Sequence, residues 1–138
     1  MDRSLSSQRH PELSRIGRAA HKVFSRKDKY REGAYYSSRH TIRFAANAIR
    51  AVHRHDMFEG QKLVAQAREA VHSQRQLLKT QPGLYNAGFV QDAQKEYAEA
   101  ACFLAIIAGS AIPTPEELKV EYAAFLNGMG EVVGELRR

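Results

Sequence analysis

Proline occurs at only four positions of this chain, 11, 82, 113 and 115, which leaves two long stretches with no residue that would stop a helix. Neither stretch alternates apolar and polar residues as a half-buried strand would; the spacing is helical throughout. The expected fold is all-α, a single domain over residues 1–138 forming an antiparallel helical bundle. Residues 1–28 are polar enough to be read as partly frayed. With 43% hydrophobic residues the chain can bury a core.

The composition narrows the function classes. The one cysteine, Cys102, lies in the apolar run AACFLAIIAGSAI, so no disulfide framework exists and a reducing compartment is expected. That run is about 13 residues, too short to span a bilayer, and the N-terminus lacks a secretory apolar segment. A cytoplasmic protein with no membrane partner is expected. Charge is strongly segregated: residues 1–80 carry 17 Lys and Arg against 7 Asp and Glu, net +10, whereas residues 81–138 carry 4 against 8, net −4. All six histidines fall in the basic part. A polyanion-binding surface beside a function that uses carboxylates would give this division.

The first strong helical segment is REGAYYSSRHTIRFAANAIRAVHR, residues 31–54. It sets Tyr35, Ile42, Ala46, Ile49 and His53 on one narrow stripe, read as the buried face. Arg39, Arg43, Asn47, Arg50 and Arg54 form a ridge roughly 80° wide and about a right angle away. Forked guanidinium groups on such a ridge can track a phosphate backbone, although a solvated helix face explains four arginines as well. Asp56 with Glu59 makes a capping box that opens a second helix ending before Gln81-Pro82-Gly83. His53 and His55 point apart and have no third ligand nearby, so they are not read as a metal site.

The third helix, Asn86 to Ala108, carries Glu96 and Glu99 on the same stripe as Phe103 and Ile106. Carboxylates aligned with a buried stripe require a partner, a metal or a raised pKa. In the segment IPTPEEL, Thr114 is an N-cap, Pro115 the first helical residue and Glu117 the capping-box partner. A last helix runs from Tyr122 to Arg138. It carries Glu131 and Glu135 one turn apart, on a side that also holds Gly128. Glycines at 128, 130 and 134 disfavour a helix by roughly 1 kcal/mol each, which close approach of another backbone would justify. Two glutamate pairs on neighbouring helices can converge on a hard cation, Mg²⁺ or Mn²⁺; neither pair has the Glu-x-x-His pattern of di-iron bundles.

Three blocks, YREGAYYSSRHTIRFAANAIRAVHR, GLYNAGFVQDAQKEYAEAACFLAII and IPTPEELKVEYAAFLNGMGEVVGELRR, resemble successive parts of the translin superfamily. KEYAEA and the GELRR ending place the resemblance nearer the translin-associated factor X (TRAX) branch and its prokaryotic relatives. That resemblance implies an oligomeric, all-α protein that binds RNA or single-stranded DNA, as a homo-oligomer or with a paralogue. In the TRAX branch it also implies a Mg²⁺-dependent endoribonuclease. The glutamates of that branch's QEYVEA-like motif fall on Glu96 and Glu99; the aspartate of its YLLGVADLTGEL-like motif falls on Glu131, one methylene longer; the glutamate of GEL falls on Glu135.

The expected reaction is therefore RNA hydrolysis, with Glu96, Glu99 and Glu131 catalytic, the same three and Glu135 as Mg²⁺ or Mn²⁺ ligands, and Arg39, Arg43, Arg50 and Arg54 on the nucleic acid. The alternative is a non-catalytic RNA- or single-stranded-DNA-binding protein of the same type. Translin's basic, histidine-bearing motif has no match in YNAGFVQDAQ, so no contact is carried over from it. The family usually continues past GEL into further helices, and this sequence ends at Arg138.

Overall fold

The structure is a computed structural model and describes residues 10–138. Its helices are α1 Pro11–His53, α2 Met57–Leu77, α3 Pro82–Tyr85, α4 Gly88–Ala108, α5 Pro115–Leu118 and α6 Tyr122–Leu136. There is no strand among the described residues, as the spacing predicts.

α1 is far longer than its apolar pattern indicates, at 43 residues. Pro11 occupies its first turn with Glu12 beside it, a favourable start, and the Lys- and Arg-rich segment after them is built of good helix formers. The helix therefore runs through the polar segment from Pro11 onward. Residues 1–9 lie outside the described residues. α1 stops at His53, His55 turns the chain with φ 63°, and the Asp56 carboxylate accepts the Glu59 backbone N–H at 3.2 Å, so the capping box forms. The second one forms too, with Thr114 Oγ1 accepting from Glu117 N at 3.1 Å, but α5 is a single turn that ends at Lys119 in a left-handed conformation.

The buried face of α1 differs from the expected stripe. Ala34, Ser38, Thr41, Ala45, Ala48 and Val52 face inward, about 100° round the helix from Tyr35 and Ile42, which are exposed. Small side chains let α2 and α4 approach closely, and the larger apolar residues are left on the flank. Of the expected stripe, Ile49 is buried, at the border of the two faces.

A polar chain locks the three long helices together. Gln74 Nε2 on α2 donates to Ala34 O and Ser38 Oγ on α1, both at 2.6 Å, and Ser38 Oγ donates to Phe89 O on α4 at 3.0 Å. These contacts make α2 antiparallel to α1 and set the start of α4 beside residue 38. The main core gathers Val52, Val71, Tyr97, Phe103, Leu118 and Val132. Burying a side chain such as Phe103 stabilises the fold by about 1.5–3 kcal/mol. Tyr97 is fully buried with its hydroxyl bonded to Arg68 Nε at 3.0 Å.

Residues 109–121 form a crossover that determines where α6 lies. Gly109, with φ 71°, ends α4, and the segment runs back over α2, where Arg75 Nη1 donates to Lys119 O at 2.9 Å. Glu121 N then donates to Gln94 Oε1 at 2.8 Å. α6 consequently starts beside Gln94 and runs alongside α4 in the same direction. No helix among the described residues is long and apolar enough to cross a membrane.

Candidate functional site

Gly128 is the point of contact that brings the two acidic helices together. A Cβ there would lie 2.8 Å from Lys95 O and 3.1 Å from Glu99 N, so only glycine allows α6 to rest on the turn of α4 that carries both glutamates. Gly130 and Gly134 have nothing within 4 Å and do not serve this purpose. One and two turns beyond Gly128, the α6 helix presents Glu131 and Glu135 toward the same region.

Glu99 is the most enclosed of the four carboxylates, only 5% exposed. Burial, and then the negative charges of Glu96, Glu135 and Glu131, push its pKa up to about 7, against a small opposing pull from Lys95. All four glutamates expected from the sequence thus share one neighbourhood. Glu96 is half-buried and pairs with Lys95 at 3.5 Å; Glu131 is exposed. Glu135 is half-buried and bonded on both oxygens: His53 Nε2 donates to Oε2 at 2.7 Å, and Arg138 Nη1 to Oε1 at 3.4 Å.

The oxygen-only donor set and the concentration of negative charge around a buried carboxyl fit a hard divalent cation. The arrangement is not ready-made, however: among the described residues no group of three or more His, Cys, Asp or Glu side chains stands close enough to hold an ion together. A cation held by these carboxylates together would require their side chains to move.

On α1, Arg39, Arg43 and Arg50 line one open groove with Ile42, Ala46 and Asn47. Arg50 is oriented by Asn47 Oδ1 at 2.8 Å, and the other two guanidinium groups are exposed. Arg54 does not join them. It caps the end of α1, past the last helical residue, and its side chain is not part of the groove wall.

His53 is the residue that sequence reasoning missed. Its ring lies 5.0 Å from that of Phe103 on α4 and bonds Glu135 on α6, one turn along α1 from Arg50. Arg50, in the wall of the arginine groove, thus lies one turn from a residue bonded to one of the four glutamates. The place of His53 on an apolar stripe gave no sign of a partner 82 residues away.

No family model and no curated protein matches the chain. Among solved structures it is similar to the crystal structure of apo-NeC3PO, with a TM-score of 0.74 and 23% identity, over 91% of this chain and 64% of that one. At that identity the likeness establishes the fold: an all-α bundle of the kind found in NeC3PO. This chain spans less than two thirds of the length of that chain.

Proposed function

We propose that the chain is a translin-type, TRAX-like endoribonuclease that depends on a divalent metal. The observation that carries the reading is Glu99, buried among three further carboxylates whose positions coincide with the acidic residues of the TRAX-branch motifs. The likeness to NeC3PO supports the same fold.

In this reading Arg39, Arg43 and Arg50 grip RNA phosphates through forked, bidentate contacts, and Arg54 adds positive charge at the end of the helix. Glu96, Glu99 and Glu131 would hold Mg²⁺ or Mn²⁺, with Glu135 supporting them. Such an ion, when bound, supplies activation of water for attack on phosphorus. Protonation and ligation compete at Glu99, because a carboxyl with a pKa of about 7 keeps its proton much of the time at neutral pH until a cation replaces it. His53 holds Glu135 in place from the arginine-bearing helix.

Uncovered apolar surface supports assembly into a homo-oligomer or a complex with a paralogue. Leu13, Ile16, Val23 and Phe24 on α1 are exposed, as are Ile107 on α4 and Leu126 and Val133 on α6.

The test is cleavage of an end-labelled single-stranded RNA with Mg²⁺ or Mn²⁺. Cleavage abolished by a chelator and by Glu99→Gln is expected; a Glu99→Gln variant that cleaves as fast as the wild type removes the carboxylate mechanism. The second reading, RNA or single-stranded DNA binding without turnover, is favoured by one observation: the carboxylates are not gathered at ligand distance. It predicts steeply salt-dependent binding and no product with any divalent ion.

A further inference from the structure

The N-terminal half of α1 carries a second basic ridge that the arginine groove does not include. Arg15, Arg18, Lys22, Arg26 and Lys29 recur at steps of three and four residues, so they fall on one face of the helix, and every one of them is exposed. Of these five, only Arg15 has an acidic partner among the described residues, Glu12 at 3.9 Å. The acidic residues of this half, Glu12, Asp28 and Glu32, lie about 80° or more from the centre of the ridge at 100° per residue.

Continuing the same steps along α1 leads through Gly33 to Tyr36 and His40 and then to Arg43 and Arg50. Tyr36 is 67% exposed, and its ring lies 4.2 Å from that of His40, whose Nδ1 accepts from Arg43 at 2.9 Å. Basic side chains in a row, interrupted by an accessible aromatic ring, are the elements with which proteins hold single strands: cations for phosphates and a flat face for a base.

We propose that α1 is a continuous single-strand track, in which Arg15, Arg18, Lys22, Arg26 and Lys29 hold phosphates and Tyr36 stacks a base between them and the arginine groove. This rests on the nucleic-acid reading above and extends it to a footprint. From Arg15 to Arg50 the helix rises about 50 Å, enough for on the order of 15 nucleotides of a stacked strand.

An anionic membrane is the other surface that a basic, amphipathic helix can meet; the continuity of the ridge with exposed Tyr36 and the arginine groove favours a strand over a bilayer. The apolar residues of this half, Leu13, Ile16, Ala20 and Val23, lie on the side opposite the ridge. Their stripe runs on into Ala34, Ser38 and Thr41, which are buried within the bundle. Leu13, Ile16 and Val23 are themselves exposed, on the surface that the proposed assembly would cover, whereas Arg15, Arg18, Lys22, Arg26 and Lys29 face solvent on the other side.

The experiment is a salt titration of the binding of a labelled 20-nucleotide single-stranded RNA, followed by anisotropy, with the full chain. Arg18, Lys22, Arg26 and Lys29 are changed together to Gln, which keeps helix propensity, and far-UV circular dichroism checks that the helix persists. The slope of log affinity against log salt is expected to fall by about 3, near 0.7 for each phosphate contact removed. Independently, Tyr36→Trp places a single tryptophan in a chain that has none, and its fluorescence is expected to be quenched as the RNA binds.

An unchanged slope, in a chain whose Arg39, Arg43 and Arg50 to Gln variant loses binding, overturns the extension and leaves the nucleic-acid reading intact. Absence of quenching at saturating RNA overturns the role of Tyr36. A wild type that binds no RNA at low salt removes both readings. Loss of binding to phosphatidylserine–phosphatidylcholine vesicles by the four-residue variant, with RNA binding unchanged, assigns the ridge to a membrane and overturns the proposal.

Discussion

His53 and Glu135, 82 residues apart, meet at 2.7 Å and join the end of the arginine-bearing helix to the last of the four clustered glutamates. Removing that contact with His53→Ala is expected to lower stability by about 1 kcal/mol, since the pair is partly open to solvent. It should also weaken divalent binding by about 10- to 100-fold, because a side chain that orients a ligand affects the ion as well as the fold. His53→Gln, which keeps a donor, should recover part of the binding. Calorimetric titration with Mn²⁺ against thermal melting of each variant separates the two effects.

The buried position of Glu99 predicts an unusual dependence of stability on pH. Below its ordinary value of 4.5 the carboxyl is protonated in both folded and unfolded chains. Between 4.5 and about 7 the unfolded chain gives up the proton first, so stability falls as pH rises, and above about 7 this loss is complete. The total is on the order of 3 kcal/mol in the absence of metal. Glu99→Gln should flatten that part of the profile and be the more stable chain at pH 8, as measured by urea unfolding between pH 4 and 8. A wild type whose stability rises through that window in step with the variant would contradict the burial of this carboxyl.

Gly128→Ala and Gly134→Ala should act in opposite directions. At 128 the new methyl meets Lys95 O at 2.8 Å, a backbone atom, so α6 must move off α4, with a loss of about 2 kcal/mol or more and of divalent binding. At 134 nothing lies within 4 Å, and alanine should stabilise the helix by about 0.5–1 kcal/mol. Melting curves of the two variants are the check.

How much of this arrangement the sequence discloses depends on whether the determinant is local. The capping residues Asp56 and Thr114, the apolar second half of α4 and the need for a close approach near Gly128 are local features, and each is legible. The glutamate pair on α4 announces itself because carboxylates share a stripe with Phe103. The inward face of α1 is not legible, because packing selected the small residues Ala34, Ser38 and Ala45 over the larger Tyr35 and Ile42. The same is true of the crossover: it depends on Gln94 and Arg75 capturing backbone groups at Glu121 and Lys119, contacts with no periodic signature. The partner of His53 is hidden for the same reason, since the crossover is what carries Glu135 to it.

The exposed apolar residues on α1 predict self-association. Changing Leu13, Ile16 and Val23 together to Gln should reduce the assembled mass in light scattering while leaving helix content unchanged. A wild type that remains monomeric at high concentration would remove the oligomeric assembly from this picture.

A crystal soaked in Mn²⁺, with the ion located by its anomalous scattering, puts the carboxylate cluster to its sharpest test. An ion among Glu96, Glu99 and Glu131, with Glu135 beside it, is the expected result. Mn²⁺ bound only elsewhere, with those carboxylates still apart, would contradict the metal site.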